Sequence, residues 1–302
     1  MASVAHPVRP AAPLPVLVHE RESWLSRLSR ALAHAPLNLL LAAIGLLWLV
    51  PTLGLLVTSL IVPSQISSTG WWQAFVHPSL LSIENYRTVL SDHAITAALV
   101  TTLEIAIGGT VLPLFVGALA AYAFAWLDFP GRDWIFIGVV AAIVVPYQMA
   151  LIPIFSLYNH LALFDTVIGI VLFHTAFGLP FAVFLLRNYF LGIPKELMEA
   201  ARIDGASEWR IFLRVVLPLG LPALASLAIF QFLWTWNDLL VALTFGRTTQ
   251  PITVAIFTQL REFGSNINII APASFLSLVV PLVVFFAFQR YFAEGLLAGS
   301  VK

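Results

Sequence analysis

Six long apolar runs are the feature that most constrains what this sequence can fold into. A helix needs about 20 apolar residues to cross the hydrocarbon core of a bilayer, and each run reaches that length. The runs cover residues 37–62, 95–127, 134–157, 167–187, 218–243 and 268–292. Charged residues make up only 10% of the chain, against about 25% in soluble domains. The sequence therefore predicts an all-α membrane protein with six transmembrane helices.

Charge and motif content exclude several classes of function. The formal net charge is +0, which argues against a nucleic-acid-binding protein. The sequence has no cysteines, so neither a disulfide framework nor thiolate chemistry is available. It also contains no HExxH zinc helix and no GxxxxGKS/T phosphate-binding loop. We therefore predict no catalytic residue and no metal site, and we expect that this chain does not hydrolyse ATP.

Positively charged residues predict the orientation, because they are enriched on the cytoplasmic side of a membrane protein. One side of the predicted topology collects 12 of them, and the other side holds Arg87, Arg247 and Arg261. Both chain ends fall on the richer side, so both are predicted to be cytoplasmic. Residues 1–36 are expected to form a disordered cytoplasmic tail, with a short surface helix over residues 24–33. Residues 37–302 are expected to form the transmembrane domain.

The most polar stretch between two spans is residues 194–218, which we call the charged segment. Acidic residues alternate there with Arg202, Arg210 and Arg214, and apolar residues recur at helical spacing. Gly205 interrupts the pattern, which predicts two short helices that meet at an angle. Such a segment can lie on a membrane surface with its charged side facing a partner. An ordinary loop helix between two spans is the alternative.

A few polar side chains interrupt the apolar runs, and such residues are costly in a membrane and often functional. Gln148, His174 and Gln231 are predicted to lie at similar depths, where their hydrogen-bonding groups suit a pathway for a neutral polyol. Hydrogen bonds between helices are the alternative role. Trp234 and Asn237 are further pathway candidates, although an aromatic belt also explains the tryptophan. Asp238 is expected near the outer interface, and no acid pair is predicted.

The charged segment also resembles the EAA loop of bacterial ABC importer permeases. Glu199-Ala200-Ala201, then Gly205, then Leu217-Pro218 match that motif in type and spacing. Further matches to the carbohydrate branch of these permeases are Asn85-Tyr86, residues 120–124, residues 129–132, Pro146, residues 152–155, residues 236–238, residues 289–292 and residues 295–302. The likeness covers about residues 37–302 and is greatest for the second permease subunit of a maltose-type importer, near permeases for α-glucosides or glucose.

The resemblance implies a type I ABC importer transmembrane domain of the MetI-like kind, in a bacterial inner membrane. It implies that this chain forms half of a sugar pathway with a sister permease. Two ATPase subunits would hold ATP-Mg, and an extracytoplasmic sugar-binding protein would deliver the sugar. This chain itself would bind no cofactor. Its contacts would be with substrate, lipid, the sister permease, the ATPase subunits and the binding protein.

The resemblance also assigns roles within the charged segment. The expected ATPase-coupling residues are Glu199, Ala200, Ala201, Asp204, Gly205, Leu217 and Pro218. Glu104 departs from the pattern, because that position is more often apolar or small in such permeases. A secondary carrier that works alone is the main alternative function. A membrane-embedded enzyme lacks its motifs here, and a structural scaffold would leave the charged segment unexplained.

Overall fold

The fold is helical throughout the residues that a computed structural model describes, 24–261 and 266–298, with side chains over 35–261 and 266–290. No β-strand occurs in these ranges, and one antiparallel bridge joins Ile61 and Leu81. The α-helices are α1 (Trp24–Ser59), α2 (Glu84–Ser91), α3 (His93–Trp126), α4 (Arg132–Ala141), α5 (Tyr147–His160), α6 (Val167–Phe190), α7 (Lys195–Ile203), α8 (Glu208–Ile211), α9 (Leu217–Leu219), α10 (Leu221–Trp236), α11 (Leu240–Phe245), α12 (Ile252–Arg261) and α13 (Ile267–Ala298). A π turn, Phe212–Val216, joins α8 to α9.

Length and apolar composition give the described residues four single membrane spans and two bent pairs of helices. The single spans are Ala35–Ser59, His93–Trp126, Val167–Phe190 and Ile267–Arg290. The pairs are Arg132–Val144 with Tyr147–His160, and Glu208–Leu219 with Leu221–Trp236. The predicted all-α membrane fold with six spans is therefore confirmed when each bent pair counts as one span.

The third and fifth spans are each divided into two helices by a bend. The third bends by 100° at Val145, whose extended ψ of 116° is the conformation that a following proline favours. The fifth bends by 74° at Gly220, and its helix α10 stops at Trp236 instead of reaching residue 243. Depths counted along straight helices are therefore wrong for Gln148, which lies just beyond the bend.

Small residues let α3 approach α6 closely, and these two helices form the centre of the bundle. A Cβ on Gly117 would lie 2.8 Å from the Cβ of Ala182, and one on Gly108 would lie 2.8 Å from Val171. Close backbone approach at small residues is a common way to pack membrane helices. Helix α10 contacts α3 of this centre, and it also contacts α13.

Residues 24–53 belong to a separate compact unit, which consists of the first part of α1. Its apolar side chains are largely exposed, with Trp48 at 78% and Leu47 at 69%. The helix runs without a break from Trp24 into the first span, so the expected surface helix over residues 24–33 is its first turns. Residues 1–23, the first part of the expected tail, lie outside the described residues.

Asn85 and Tyr86, one of the motifs noted in the sequence, secure the end of α1. The buried Asn85 donates from Nδ2 to the carbonyls of Ser59 at 3.0 Å and Ile61 at 2.7 Å. The Tyr86 hydroxyl lies 2.6 Å from the Ser59 hydroxyl. Carbonyls at a helix C-terminus lack partners within the helix, and the Asn85 amide supplies donors to the carbonyls at this end. Both side chains thereby hold the loop that follows the first span.

Candidate functional site

The charged segment folds as two short helices that meet at Gly205, as its sequence predicts. Helix α7 ends in a Schellman turn, in which the Ala206 N–H donates to Ala201 O and the Gly205 N–H donates to Arg202 O, each at 3.0 Å. Gly205 has a left-handed φ of +75°, which glycine adopts without the steric cost of a Cβ. The sequence places the bend where the backbone requires a glycine.

One face of the charged segment is inserted into the helix bundle. Met198, Ile211 and Val216 are buried and share a core cluster with Leu186 and Phe190 of α6. Burial of each such side chain contributes roughly 1.5–3 kcal/mol. The segment is therefore packed onto α6 by its apolar face.

The predicted coupling residues divide between the two faces of the segment. Ala201 and Leu217 pack against the buried cluster. The exposed members are Glu199, Ala200, Asp204, Gly205 and Pro218. Ile203 is an apolar side chain with 86% of its surface exposed on the same outer face. The outer face thus offers a carboxylate, a small residue and an apolar contact to whatever covers it.

A hydrogen-bonded group of Tyr122, Arg202 and Glu208, which we call the Tyr122 junction, links the charged segment to the end of α3. The Tyr122 hydroxyl donates to Oε2 of Glu208, and Arg202 donates from Nε to Oε1 of Glu208 at 2.9 Å. Arg202 also reaches the Trp126 carbonyl at 3.4 Å. The hydrogen bond to Glu208 raises the pKa of Arg202, so the guanidinium stays charged. Sequence reasoning identified neither Tyr122 nor Glu208 as functional.

A second group of polar side chains lies inside the bundle and is called the His174 cluster, comprising His174, Gln231, Trp234, Asp238 and Tyr147. His174 is fully buried, and its Nε2 lies 3.7 Å from Oδ2 of Asp238. The Trp234 ring meets the imidazole edge to face at 4.9 Å and Tyr147 at 6.2 Å. The Gln231 amide lies 3.5 Å from the His174 carbonyl. The structure therefore brings together His174, Gln231 and Trp234 from the predicted pathway residues.

The His174 imidazole is under-satisfied for a buried polar group. Within the described part of the chain, neither ring nitrogen has a hydrogen-bond partner, and the same holds for the Thr235 hydroxyl beside it. A Cβ on Gly109 of α3 would lie 2.9 Å from Thr235 and 3.3 Å from His174. Buried polar groups without partners are costly, which makes this a place where a polar ligand or water gains contacts.

Three residues depart from their expected surroundings. Asp238 is not at an open interface, because its side chain is only 6% exposed and it accepts hydrogen bonds from the N–H groups of Val241 and Ala242. Asn237 is exposed and donates to Leu233 O of its own helix at 2.8 Å. Gln148 is exposed beyond the bend of the third span. The structure thus leaves Asn237 and Gln148 at the margin of the His174 cluster.

Neither site offers the donor set of a metal centre. Within residues 24–261 and 266–298, no group of three or more His, Asp or Glu side chains is placed to hold a metal ion. The Tyr122 junction and the His174 cluster each contain one carboxylate beside a nitrogen donor or an imidazole. Their geometry suits the holding of helices and the binding of neutral polar groups.

Comparisons with known proteins agree with the architecture. Residues 113–297 match the family model described as binding-protein-dependent transport system inner membrane component. The osmoprotective compounds uptake permease protein GgtD of Synechocystis sp. is 45% identical over 273 residues, covering 88% of this chain and 92% of that protein. The alpha-glucoside transport system permease protein AglG of Rhizobium meliloti is 50% identical over 233 residues, covering 74% and 61%.

Solved structures share the fold at lower identity. A bacterial ABC transporter involved in the import of the acidic polysaccharide alginate matches with a TM-score of 0.70 at 23% identity, over 90% of this chain and 99% of that chain. The MetNI methionine ABC transporter matches with a TM-score of 0.51 at 19% identity, over 67% and 94%. The family match and the two close relatives show that this chain belongs to the binding-protein-dependent transport system inner membrane components, which are multi-pass transport subunits and not enzymes.

Proposed function

We propose that this chain is a permease subunit of an ATP-driven sugar importer and forms half of the translocation pathway beside a sister permease. The observation that carries the proposal is the charged segment, which is anchored in the bundle on one face and exposed on the other. The family name supplies the binding protein that would deliver substrate. The name of the alpha-glucoside relative supports a sugar as that substrate.

The charged segment is the part that we assign to ATPase coupling. Glu199, Ala200 and Ile203 face outward from α7, so the cleft of a partner ATPase can grip this helix. Ala200 is small enough for close approach, and Glu199 offers a carboxylate to the partner's donors. A rigid-body shift of the segment would reach α6 through the buried cluster and α3 through Tyr122, rocking the bundle between two states.

The energy source lies outside this chain in the proposal. Two ATPase subunits bind ATP-Mg and close on each other, while this chain holds no cofactor. The charged segment then lies on the cytoplasmic side, as the count of positive residues predicts. The bundle spans the inner membrane of a bacterium in this proposal. The extracytoplasmic binding protein docks at the end of the bundle opposite the charged segment.

The pathway itself is assigned to the polar side chains inside the bundle. His174, Gln231 and Trp234 form its inner part in this chain, and Gln148 and Asn237 lie at its margin as exposed polar groups. A neutral polyol can exchange hydrogen bonds with an amide or an imidazole without leaving a charge unpaired. The sister permease would complete the other wall.

The test is uptake by a reconstituted transporter that carries Gly205→Asp. The wild-type chain with its sister permease, ATPase and binding protein is expected to accumulate radiolabelled α-glucoside only when ATP-Mg is present. A Cβ at Gly205 meets nothing within 4 Å, and aspartate tolerates a left-handed φ better than most residues. The variant should therefore insert and assemble normally. Its uptake should fall at least tenfold, because the added carboxylate lies on the exposed face that we assign to ATPase coupling.

A matched control is Gly131→Asp, because Gly131 also has a left-handed φ, of +79°, and a Cβ there meets only Ile135 Cδ1 at 3.7 Å, but the residue lies in the turn before α4, outside the charged segment. Unchanged uptake by the Gly205→Asp transporter would contradict the coupling role of the charged segment. Uptake by this chain alone and without ATP would replace the proposal with a secondary carrier.

A further inference from the structure

An open cavity of about 260 Å³ lies between α6 and α10, beside the His174 cluster. Its lining consists of four aromatic side chains, one amide and one glycine. These residues are Phe177, Phe181, Phe230, Trp234, Gln231 and Gly178. None of them is charged, and the volume is just below that of pockets for drug-sized ligands. The cavity therefore suits a single small uncharged ring.

The amide of the cavity is held in place by its neighbours. Gln231 is 4% exposed, and its Nε2 lies 3.5 Å from the His174 carbonyl. A Cβ on Gly178 would lie 2.6 Å from that nitrogen, so any larger residue at this position would displace the amide. The fit between Gly178 and Gln231 places a donor and an acceptor at the floor of an otherwise aromatic cavity.

One aromatic wall is equally fixed. The Trp234 ring is in contact with His174 at 4.9 Å and with Tyr147 at 6.2 Å. Phe230 and Phe181 stand on the open side, 41% and 39% exposed. The cavity thus has a rigid inner wall and an accessible outer rim, as an entry site for a ligand requires.

The chemistry of this lining favours a sugar over a lipid chain. Aromatic rings supply large flat apolar faces, which match the C–H faces of a pyranose, and the amide pairs with hydroxyl groups of the same ring. A lipid tail would form no hydrogen bond with the Gln231 amide, which is less favourable inside a membrane than contact with a hydroxyl group. An acidic sugar would bring a carboxylate to a lining with no basic side chain.

We propose that this cavity is a subsite for one neutral pyranose ring of the transported sugar. The proposal rests on the proposed function, because it assumes that the inside of the bundle is exposed to substrate. It adds that this chain contributes direct substrate contacts, and that it selects uncharged rings through Phe177, Phe181, Phe230, Trp234 and Gln231.

The experiment measures ligand binding to the complete transporter in nanodiscs, without the binding protein. The probes are methyl α-D-glucopyranoside and its acidic analogue, methyl α-D-glucopyranosiduronate, and the readout is saturation transfer from protein to the sugar ring. We expect the neutral probe to bind and the acidic probe to bind at least tenfold more weakly. Phe230→Leu should weaken the neutral probe about threefold to tenfold, the range expected for loss of one aromatic contact.

Two further variants make the result specific. Gln231→Leu removes the floor amide and should weaken binding at least as much as Phe230→Leu. Phe286→Leu alters an aromatic residue of α13 that is 61% exposed and absent from the lining, so its binding should match the wild-type chain. Equal binding of both probes, unchanged binding by Phe230→Leu, or an equal loss with Phe286→Leu would each overturn the subsite.

Uptake by the same wild-type preparation separates this proposal from the proposed function. ATP-driven uptake of radiolabelled α-glucoside, together with binding that ignores the cavity variants, would reject the subsite alone. Absence of ATP-driven uptake by the wild-type complex would reject the proposed function and the subsite with it.

Discussion

At the scale of single residues, Asp165 shows how one carboxylate can hold a loop. Its Oδ1 accepts from the N–H groups of Arg247, Thr248 and Thr249 at 2.7, 2.8 and 2.9 Å, and Oδ2 accepts from the Thr248 hydroxyl at 2.6 Å. Its own N–H donates to Phe245 O at 2.8 Å. Partial burial would raise the pKa of Asp165, but these hydrogen bonds outweigh it and hold the pKa well below its usual range.

Asp165→Asn is predicted to destabilise the protein at neutral pH by about 1.5–3 kcal/mol, the value of a hydrogen bond to a charged group. Asparagine tolerates the left-handed φ of 60° found here, so the change isolates the charge. Because the folded pKa is depressed, the stabilisation is complete above about pH 4 and is lost as the pH falls through the folded pKa. Thermal unfolding of the wild-type protein and of Asp165→Asn between pH 7 and pH 3 measures this difference in stability.

The control for that series is Asp133→Asn, whose carboxylate is 72% exposed and lies 3.2 Å from Arg132. Exposed ion pairs contribute about 0–1 kcal/mol, so its unfolding should match the wild-type protein. A gap between wild-type protein and Asp165→Asn that does not narrow toward pH 3 would contradict the assigned role of the charge.

Residue pairs are also where sequence reasoning was weakest. Polar side chains within apolar runs predicted that His174 and Gln231 matter, and the structure places them in contact through the His174 backbone. The approach of Asp238 to His174 had no signal in the sequence, since 64 positions separate them and only the packing of α6 on α10 joins them. The hydrogen bonds of Asp165 to the loop join positions 82 to 84 apart and were likewise not predicted.

At the scale of elements, the Tyr122 junction is the polar link between the charged segment and α3. Tyr122→Phe keeps the ring in the buried cluster but removes the hydroxyl that donates to Glu208. We predict that less sugar is carried for each ATP hydrolysed, with uptake reduced severalfold, because a looser segment transmits less of its movement. Parallel assays of uptake and ATP hydrolysis in proteoliposomes give this ratio.

Tyr86→Phe is the matched control for the junction. It also deletes one side-chain hydrogen bond, here to Ser59 at 2.6 Å, but in the loop after α1 and not at the charged segment. The ratio of sugar to ATP should stay at the wild-type value. An equal fall in both variants would mean that Tyr122 serves stability and not coupling.

The helices show what apolar runs can and cannot predict. Run length predicted the spans and Gly205 predicted the bend of the charged segment, because glycine alone accepts that conformation readily. Pro146 marks a possible kink in the third span, but neither the size of its 100° bend nor the 74° bend at Gly220 was predicted. A proline or glycine in an apolar run permits a straight, kinked or folded-back helix, and packing against other helices decides among these.

At the scale of the whole molecule, most of the arginines discussed below lie at one end of the bundle, and Arg247 lies at the other. Arg132, Arg187 and Arg202 donate to the carbonyls of Leu127, Phe124 and Trp126, all at the end of α3. Arg247 lies instead beside Asp165, at the start of α6. The sequence predicted this separation from loop composition alone, and it makes the end with the charged segment the predicted cytoplasmic side.

The absence of cysteine allows that orientation to be tested with single replacements. Asp133→Cys lies at the end with the charged segment, and Gln250→Cys lies in the loop after Arg247; both native side chains are exposed. A membrane-impermeant maleimide added to intact spheroplasts should label Gln250→Cys at once and Asp133→Cys only after permeabilisation. The reverse pattern would put the charged segment outside the cell, where no ATPase fuelled by cytoplasmic ATP can reach it, and coupling through Glu199 and Gly205 would be untenable.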